Sequence, residues 1–263
     1  MAQRKTTREF WKNWWDESAR SDRPDREIDR GSTRTISVLE RREERKLIEA
    51  VDPHKDDVVL DVGCGTGANF SKIGRSVRRI VGIDISEEQL KRAERTIQRE
   101  GLSNVTLRVG SITDLEFPSD MFDKVICASV LQYLNDDECR AGIIELFRVC
   151  KDGGIIVIHA KNRTSLYGLI REATKTINAF VGKASMPDYY RPRRWYERLI
   201  SANGGVIEDF DSFGLFSFPR LPQVIGKRLL MIELSMITNK ALKGYGVNYK
   251  MTVRVRKPGG LTK

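Results

Sequence analysis

Two acids and three glycines are the residues whose types and spacing could do chemistry. Val58–Phe70 reads VVLDVGCGTGANF, in which Asp61 precedes a loop carrying Gly63, Cys64, Gly65 and Gly67. Glycines at such spacing allow a tight turn and let backbone N–H groups approach a ligand with no Cβ in the way. The second acid, Asp84, lies in VGIDIS, 17 residues beyond Gly67. That is close to the roughly 20 residues separating a glycine loop from a ribose-binding acid in a nucleotide-binding βαβ unit. His159, one of two histidines, is the one candidate general base, because a neutral imidazole takes up a proton near physiological pH. Tyr189, Tyr190 and Arg191, in MPDYYRPRRW, could hold a ring or an anionic group of a substrate. The four cysteines show no CxxC spacing and no His/Asp/Glu cluster has ligand spacing, so neither a disulfide scaffold nor a metal site is expected.

The loop also fits G-x-G-x-x-G/A with Ala68 in the last place, the pattern of a dinucleotide site. Three features count against a dinucleotide: the glycines alternate as G-x-G-x-G, an acid precedes them, and no second half of a dinucleotide fold follows. A pyrophosphate gains from a helix N-terminus and needs no carboxylate beside it. A nucleoside bearing an ammonium group and no phosphate suits two acids better.

Elements that alternate must position these residues. Short apolar runs at 58–62, 79–83, 104–109, 122–128 and 153–158 read as strands. Helical patterns fall between them, up to 75, over 87–100 and over 136–150. Strand–helix alternation at this spacing means right-handed crossovers and a mainly parallel sheet. Further on, 165–182 and 192–203 read as helices, the second ending at Gly204-Gly205, while 206–210 and 249–256 alternate like strands. The fold class is α/β, Rossmann-like and doubly wound, with a mostly parallel seven-stranded sheet. Before it, Phe10, Trp11, Trp14 and Trp15 fall on one side of a short helix ahead of a charged stretch, and a second helix is read over 35–51. Residues 1–52 thus form an N-terminal helical cap. Residues 53–263 form the main domain, a cofactor half to about 160 and a substrate-covering half beyond it. Residues 222–243 carry an apolar stripe through Ile225, Leu229, Ile232 and Met236, with Lys227, Arg228, Lys240 and Lys243, as an amphipathic helix.

Charge is uneven. The chain of 263 residues carries +10 overall, but residues 51–160 hold 14 Lys and Arg against 18 Asp and Glu, and residues 161–263 hold 19 against 7. The basic last third favours an acceptor that is anionic or presented at a membrane surface, and the 222–243 helix could serve that surface or a homodimer interface. No RNA-binding module signature is visible, so nucleic acid is not the expected partner. No apolar run reaches the roughly 18 residues of a spanning helix, and the N-terminal residues lack a secretory h-region. A reducing cytoplasm, with contact to a membrane surface, is the expected setting.

Taken in order, VLDVGCGTG, VGIDIS, VGSITDLEF, FDKVICASVLQYL and GGIIVIHAKNR resemble the successive motifs of class I S-adenosylmethionine-dependent methyltransferases. Their order and spacing are similar to the ubiquinone/menaquinone-type small-molecule subgroup over about residues 55–165. The resemblance implies S-adenosyl-L-methionine as cofactor, S-adenosyl-L-homocysteine as product, and methyl transfer to a small-molecule acceptor such as a sugar, quinone-like, natural-product or lipid-linked metabolite. It implies that Asp61, Gly63, Cys64, Gly65 and Gly67 shape the loop around the methionine portion. Asp84 would hold the ribose hydroxyls and Ile85 would pack on the adenine. Ser111 and Ile112 would border the adenine, with Ser111 where the family often has Asp. Ala128 and Ser129 would face the methionine end, and Gln132 stands where the subgroup often has Glu or His. An RNA methyltransferase, a nicotinamide-dependent oxidoreductase and a cofactor-binding module without catalysis stay open as alternatives.

Overall fold

The computed structural model describes residues 7–21, 45–213 and 246–257. The 222–243 helix, most of the 35–51 helix and most of the charged stretch that follows the tryptophans lie outside the described residues.

Seven strands make one sheet in the order β3-β2-β1-β4-β5-β7-β6. They are β1 (Val58–Val62), β2 (Arg79–Asp84), β3 (Val105–Val109), β4 (Phe122–Ala128), β5 (Cys150–Lys161), β6 (Gly205–Phe213) and β7 (Asn248–Val255). The first five run parallel, and β7 enters antiparallel between β5 and β6. The chain goes outward from β1 through β2 to β3 and then returns to β4 on β1's other side. The strand order therefore reverses at the carboxyl ends of β1 and β4, which is where such sheets bind ligands.

Around the sheet lie α1 (Thr7–Arg20), helical residues 45–51, the single turn α2 (Phe70–Ile73), α3 (Glu87–Glu100), α4 (Asp136–Val149), α5 (Leu166–Phe180) and α6 (Arg193–Ala202). Local chemistry fixes several helix ends. Ser86 caps α3 by accepting from Gln89 N–H, and Gly101 closes it with φ +63°. Asn135 and Glu138 form a reciprocal capping box on α4, and Ser165 caps α5 through Gly168 N–H. Each side-chain cap satisfies a backbone donor that the helix itself cannot.

The strands are apolar on both sides because both faces are covered. One face packs Leu60, Val125 and Ile156 with Ile143 and Leu146 of α4 and Tyr196 and Ile200 of α6. The other packs Val59, Ile80 and Ile126 with Leu47, Val51, Phe70 and Leu90. Two strands run three residues beyond the sequence reading at one end or both. β5 starts three residues before Gly153, because Cys150 pairs with Phe122 across an irregularity in the β4 register, and it runs on to Lys161 because β7 pairs with it there. β6 likewise extends to Phe213 along β7. Pairing partners distant in sequence lengthen strands beyond their local apolar pattern.

Candidate functional site

β1 delivers Asp61 and the glycine loop to the carboxyl edge of the sheet. Gly63 N–H and Cys64 N–H both donate to Ile83 O, at 2.8 and 3.0 Å, which folds the loop back over β2. Gly63 has φ +68°, and a Cβ there would lie 2.2 Å from Val130 Cγ2. Gly65, at φ +52°, lines the cavity, and a Cβ on it would meet nothing within 4 Å. The first glycine is required by packing; the second leaves room for something else.

Asp84 ends β2 directly under this loop. Its Oδ2 accepts from Gly65 N–H and its Oδ1 from Ser86 N–H, each at 2.9 Å. Burial raises its pKa, and those backbone N–H groups oppose the rise. Asp61 is buried behind the loop, where Asn69 Nδ2 donates to it at 3.1 Å. Burial pushes its carboxyl up to about 7, opposed by the Asn69 hydrogen bond and reinforced by the neighbouring charge of Asp84. The Cys64 thiol is raised well above its ordinary range, again by burial, and does not act as a thiolate.

These elements enclose a cavity of about 270 Å³. Its wall brings together Gly63, Cys64, Gly65, Asp84, Ile85, Ser111, Ile112, Ala128 and Ser129 from four separate strand ends. Ser111 Oγ lies 2.9 Å from Thr113 Oγ1, and Ser129 adopts φ +61°, a left-handed conformation uncommon for a residue with a side chain. Asp61 and Gly67 stand behind the wall. Gly67, at φ +78°, gives way to the Phe70 ring, 2.5 Å from where its Cβ would lie.

The wall also contains residues outside the motifs. Arg8, Trp11 and Trp15 come from α1, Gln89 from α3, Tyr133 from the 310 turn after β4, and Glu138 from the first turn of α4. The Trp11 and Tyr133 rings are 4.4 Å apart and the Trp15 and Tyr133 rings 5.7 Å apart. A signal for the two tryptophans was visible, since positions 11 and 15 share a helix face, but which face meets the cavity depends on docking. That docking is polar. Buried Asp16 accepts from Ser86 Oγ at 2.6 Å and from Lys12 Nζ at 3.0 Å. Burial pushes its carboxyl up, but these hydrogen bonds outweigh that and hold it below its ordinary value.

Four other candidates lie outside the cavity wall. His159 sits on β5 in register with Ala128 and Lys250, its ring 5.7 Å from that of Phe213. Tyr190 packs near Tyr167, and Tyr189 donates its backbone N–H to Gln132 O at 2.7 Å. Arg191, read as a substrate residue, does not line the cavity. It is buried, with Nε on Asp136 Oδ1 and its two terminal nitrogens on Leu131 O and Leu134 O at 2.7–3.0 Å. A guanidinium so engaged fixes the 131–134 turn. Gln132 is buried and donates to Ser129 O at 2.9 Å. Among the described residues, no group of three or more His, Cys, Asp or Glu is placed to hold a metal ion.

Residues 59–154 match the family model described as a methyltransferase domain. Over 110 residues the chain is 37% identical to an uncharacterized methyltransferase of Schizosaccharomyces pombe, 39% of each protein. Over 118 residues it is 32% identical to a demethylmenaquinone methyltransferase of Porphyromonas gingivalis, 43% of this chain and 47% of that protein. The chain thus spans less than half the length of these curated relatives. Among solved structures, magnesium protoporphyrin IX methyltransferase from Synechocystis superposes with a TM-score of 0.68 at 16% identity, over 95% of this chain and all of that one. Geranyl diphosphate C-methyltransferase from Streptomyces coelicolor gives 0.64 at 18% identity, over 96% of this chain and 99% of that one. The glycine loop and the acid at the end of β2 thus both lie within the segment that matches a methyltransferase domain, and the sheet that carries them shares its fold with these solved methyltransferases.

Proposed function

We propose that this protein transfers a methyl group from S-adenosyl-L-methionine to a small-molecule acceptor, releasing S-adenosyl-L-homocysteine. One observation carries the reading. Asp84 is fixed by two backbone N–H groups beside a loop whose Gly65 opens onto the cavity. A carboxylate has about four lone-pair sites, so two bonded N–H groups leave capacity for the two hydroxyls of a ribose. The charges on the wall are Asp84 and Glu138 against Arg8, a balance that disfavours a pyrophosphate and suits a cationic nucleoside.

When bound, the cofactor supplies an electrophilic sulfonium methyl; the chain's own residues position and desolvate. Gly63, Gly65, Ala128 and Ser129 border the methionine end in this reading, and Ile85, Ser111 and Ile112 the adenine. Asp61 lies behind the loop, orders it through Asn69, and contributes a negative field toward the ammonium group. An in-line displacement gains chiefly from holding its partners at reacting distance. Trp11, Trp15 and Tyr133 form the aromatic part of the wall and favour a planar or apolar acceptor, or one carrying a cation over a ring. His159, outside the wall, is not assigned a proton-transfer role.

Relatives by sequence and structure include enzymes named for menaquinone precursors, phosphatidylethanolamine and geranyl diphosphate, which supports a small and partly apolar acceptor. Isothermal titration tests the cofactor. S-adenosyl-L-homocysteine is expected to bind and NADH to give no heat. The Asp84→Ala variant should bind the homocysteine nucleoside more weakly by about 1–3 kcal/mol, the cost of leaving hydroxyls unpaired. Heat with NADH and none with the nucleoside would reverse the assignment.

A further inference from the structure

α5 is amphipathic in the wrong sense for a helix packed on a protein core. Its inward side is polar and close-set. A Cβ on Gly168 would lie 2.3 Å from Asn162 O. Arg171 donates through Nε and a terminal nitrogen to Asp188, each at 3.1 Å, and Lys175 Nζ lies 2.7 Å from the same carboxylate. Asn178 Nδ2 donates to Ser185 Oγ at 3.1 Å. Positions 168, 171, 175 and 178 fall on one helical face. The opposite face is an apolar stripe of Leu166, Leu169, Ile170, Ile177, Phe180 and Val181. Phe180 is 91% exposed and the other five are 47–62% exposed. Surface helices ordinarily turn their apolar stripe to the core. A contiguous apolar patch left on the outside marks a binding surface.

Charge selects the occupant. Exposed Arg163 and Lys183 stand at the two ends of the stripe, and residues 163–188 hold four basic side chains against two acids, Glu172 and Asp188. Glu172 is paired with Arg163 and Lys175, and Asp188 with Arg171 and Lys175, so the segment keeps a positive excess of two. A second copy of this chain would bring the same positive charge to the contact, whereas an anionic lipid surface complements it. The segment that follows α5 in turn reaches elements near the cavity. The segment after α5 offers Pro187 O to Trp11 Nε1 at 3.2 Å and joins Tyr189 N–H to Gln132 O.

We infer that α5 docks this protein on an anionic membrane surface, its apolar stripe entering the acyl boundary and Arg163 and Lys183 meeting headgroups. A lipid-held acceptor is then concentrated at the same surface as the enzyme. This last step rests on the methyl-transfer reading above, while the docking itself does not.

The test is co-sedimentation of the intact protein with vesicles of phosphatidylcholine alone and of equimolar phosphatidylcholine and phosphatidylglycerol. Sedimentation velocity and S-adenosyl-L-homocysteine titration are run on the same samples. The expected result is binding to the anionic vesicles, weakened by salt, and reduced by about tenfold or more in a Leu169→Asp, Ile177→Asp, Phe180→Asp variant. All three sites are exposed, so the variant should fold, and unchanged nucleoside affinity would certify that it does. Three outcomes overturn the inference: no vesicle binding by the unmodified chain, equal binding by the variant, or a dimer in solution that the variant converts to monomer. A loss of nucleoside binding by the unmodified chain would instead count against the methyl-transfer reading alone.

Discussion

Asp61 and Asp84 stand at the ends of adjacent strands, and their environments set them apart. Asp84 is held by two backbone N–H groups at the cavity wall, while Asp61 is buried behind it with Asn69 as its hydrogen-bond donor. Burial moves the Asp61 carboxyl from an ordinary 3.8 up to about 7. A folded-state pKa above the unfolded one means that the unfolded chain gives up its proton first. The associated stability is fully present below about 3.8 and is lost as pH rises through about 7. The ligand-free protein should therefore become easier to unfold across that window, and Asp61→Asn should flatten this part of the profile. Urea unfolding at fixed temperature between these pH values checks it; a profile for the variant parallel to that of the unmodified chain would assign the titration to another group. An ammonium group near the carboxylate opposes the loss, so S-adenosyl-L-homocysteine affinity should rise with pH over the same range in the unmodified chain and not in the variant.

At the scale of elements, the turn after β1 separates two duties among glycines that look alike in sequence. Gly63 is wedged against Val130 in a left-handed conformation, whereas Gly65 is left-handed but opens onto the cavity. Gly63→Ala should therefore destabilise the fold by more than the 1–2 kcal/mol that the left-handed backbone alone costs, because the methyl group also collides with Val130. Gly65→Ala should cost only about that backbone term. Its methyl group instead takes up space in the cavity and weakens nucleoside binding. Thermal melts and titration on the two variants separate these effects; equal loss of melting temperature in both would contradict the geometry. α1 illustrates the same dependence on placement. The tryptophan cluster was legible as one side of a short helix, but Trp14 lies 38% exposed while Trp11 is buried at the cavity. The Asp16–Ser86 contact across 70 residues sets that rotation.

At the scale of the molecule, the strand ends that line the cavity all belong to one sheet whose two faces are packed. Ligand binding at those ends should stabilise the sheet as a unit. With S-adenosyl-L-homocysteine at about one hundred times its dissociation constant, stability should rise by about 2.7 kcal/mol. For a chain of this size that corresponds to an upward shift of roughly 5–10 °C in the main thermal transition. A shift confined to a minor early transition, with the main one unmoved, would mean that the site is not built from the central sheet.

What the sequence determined by itself was local and periodic. The β4 and α3 boundaries were read at Phe122–Ala128 and Glu87–Glu100, where the structure has them. Alternation of strand and helix dictated the parallel half of the sheet, because a parallel pair needs a crossover. The glycine loop and the two acids were legible because their spacing follows from one strand, one turn and one helix. Tertiary structure alone decided the rest. It turned Trp11, Trp15 and Glu138 toward the cavity, and it engaged Arg191 with three partners 55–60 residues away. It also left His159 off the wall and turned the apolar side of α5 outward. Each of these depends on which face of an element meets which neighbour, and periodicity gives a helix its faces without saying what they will meet.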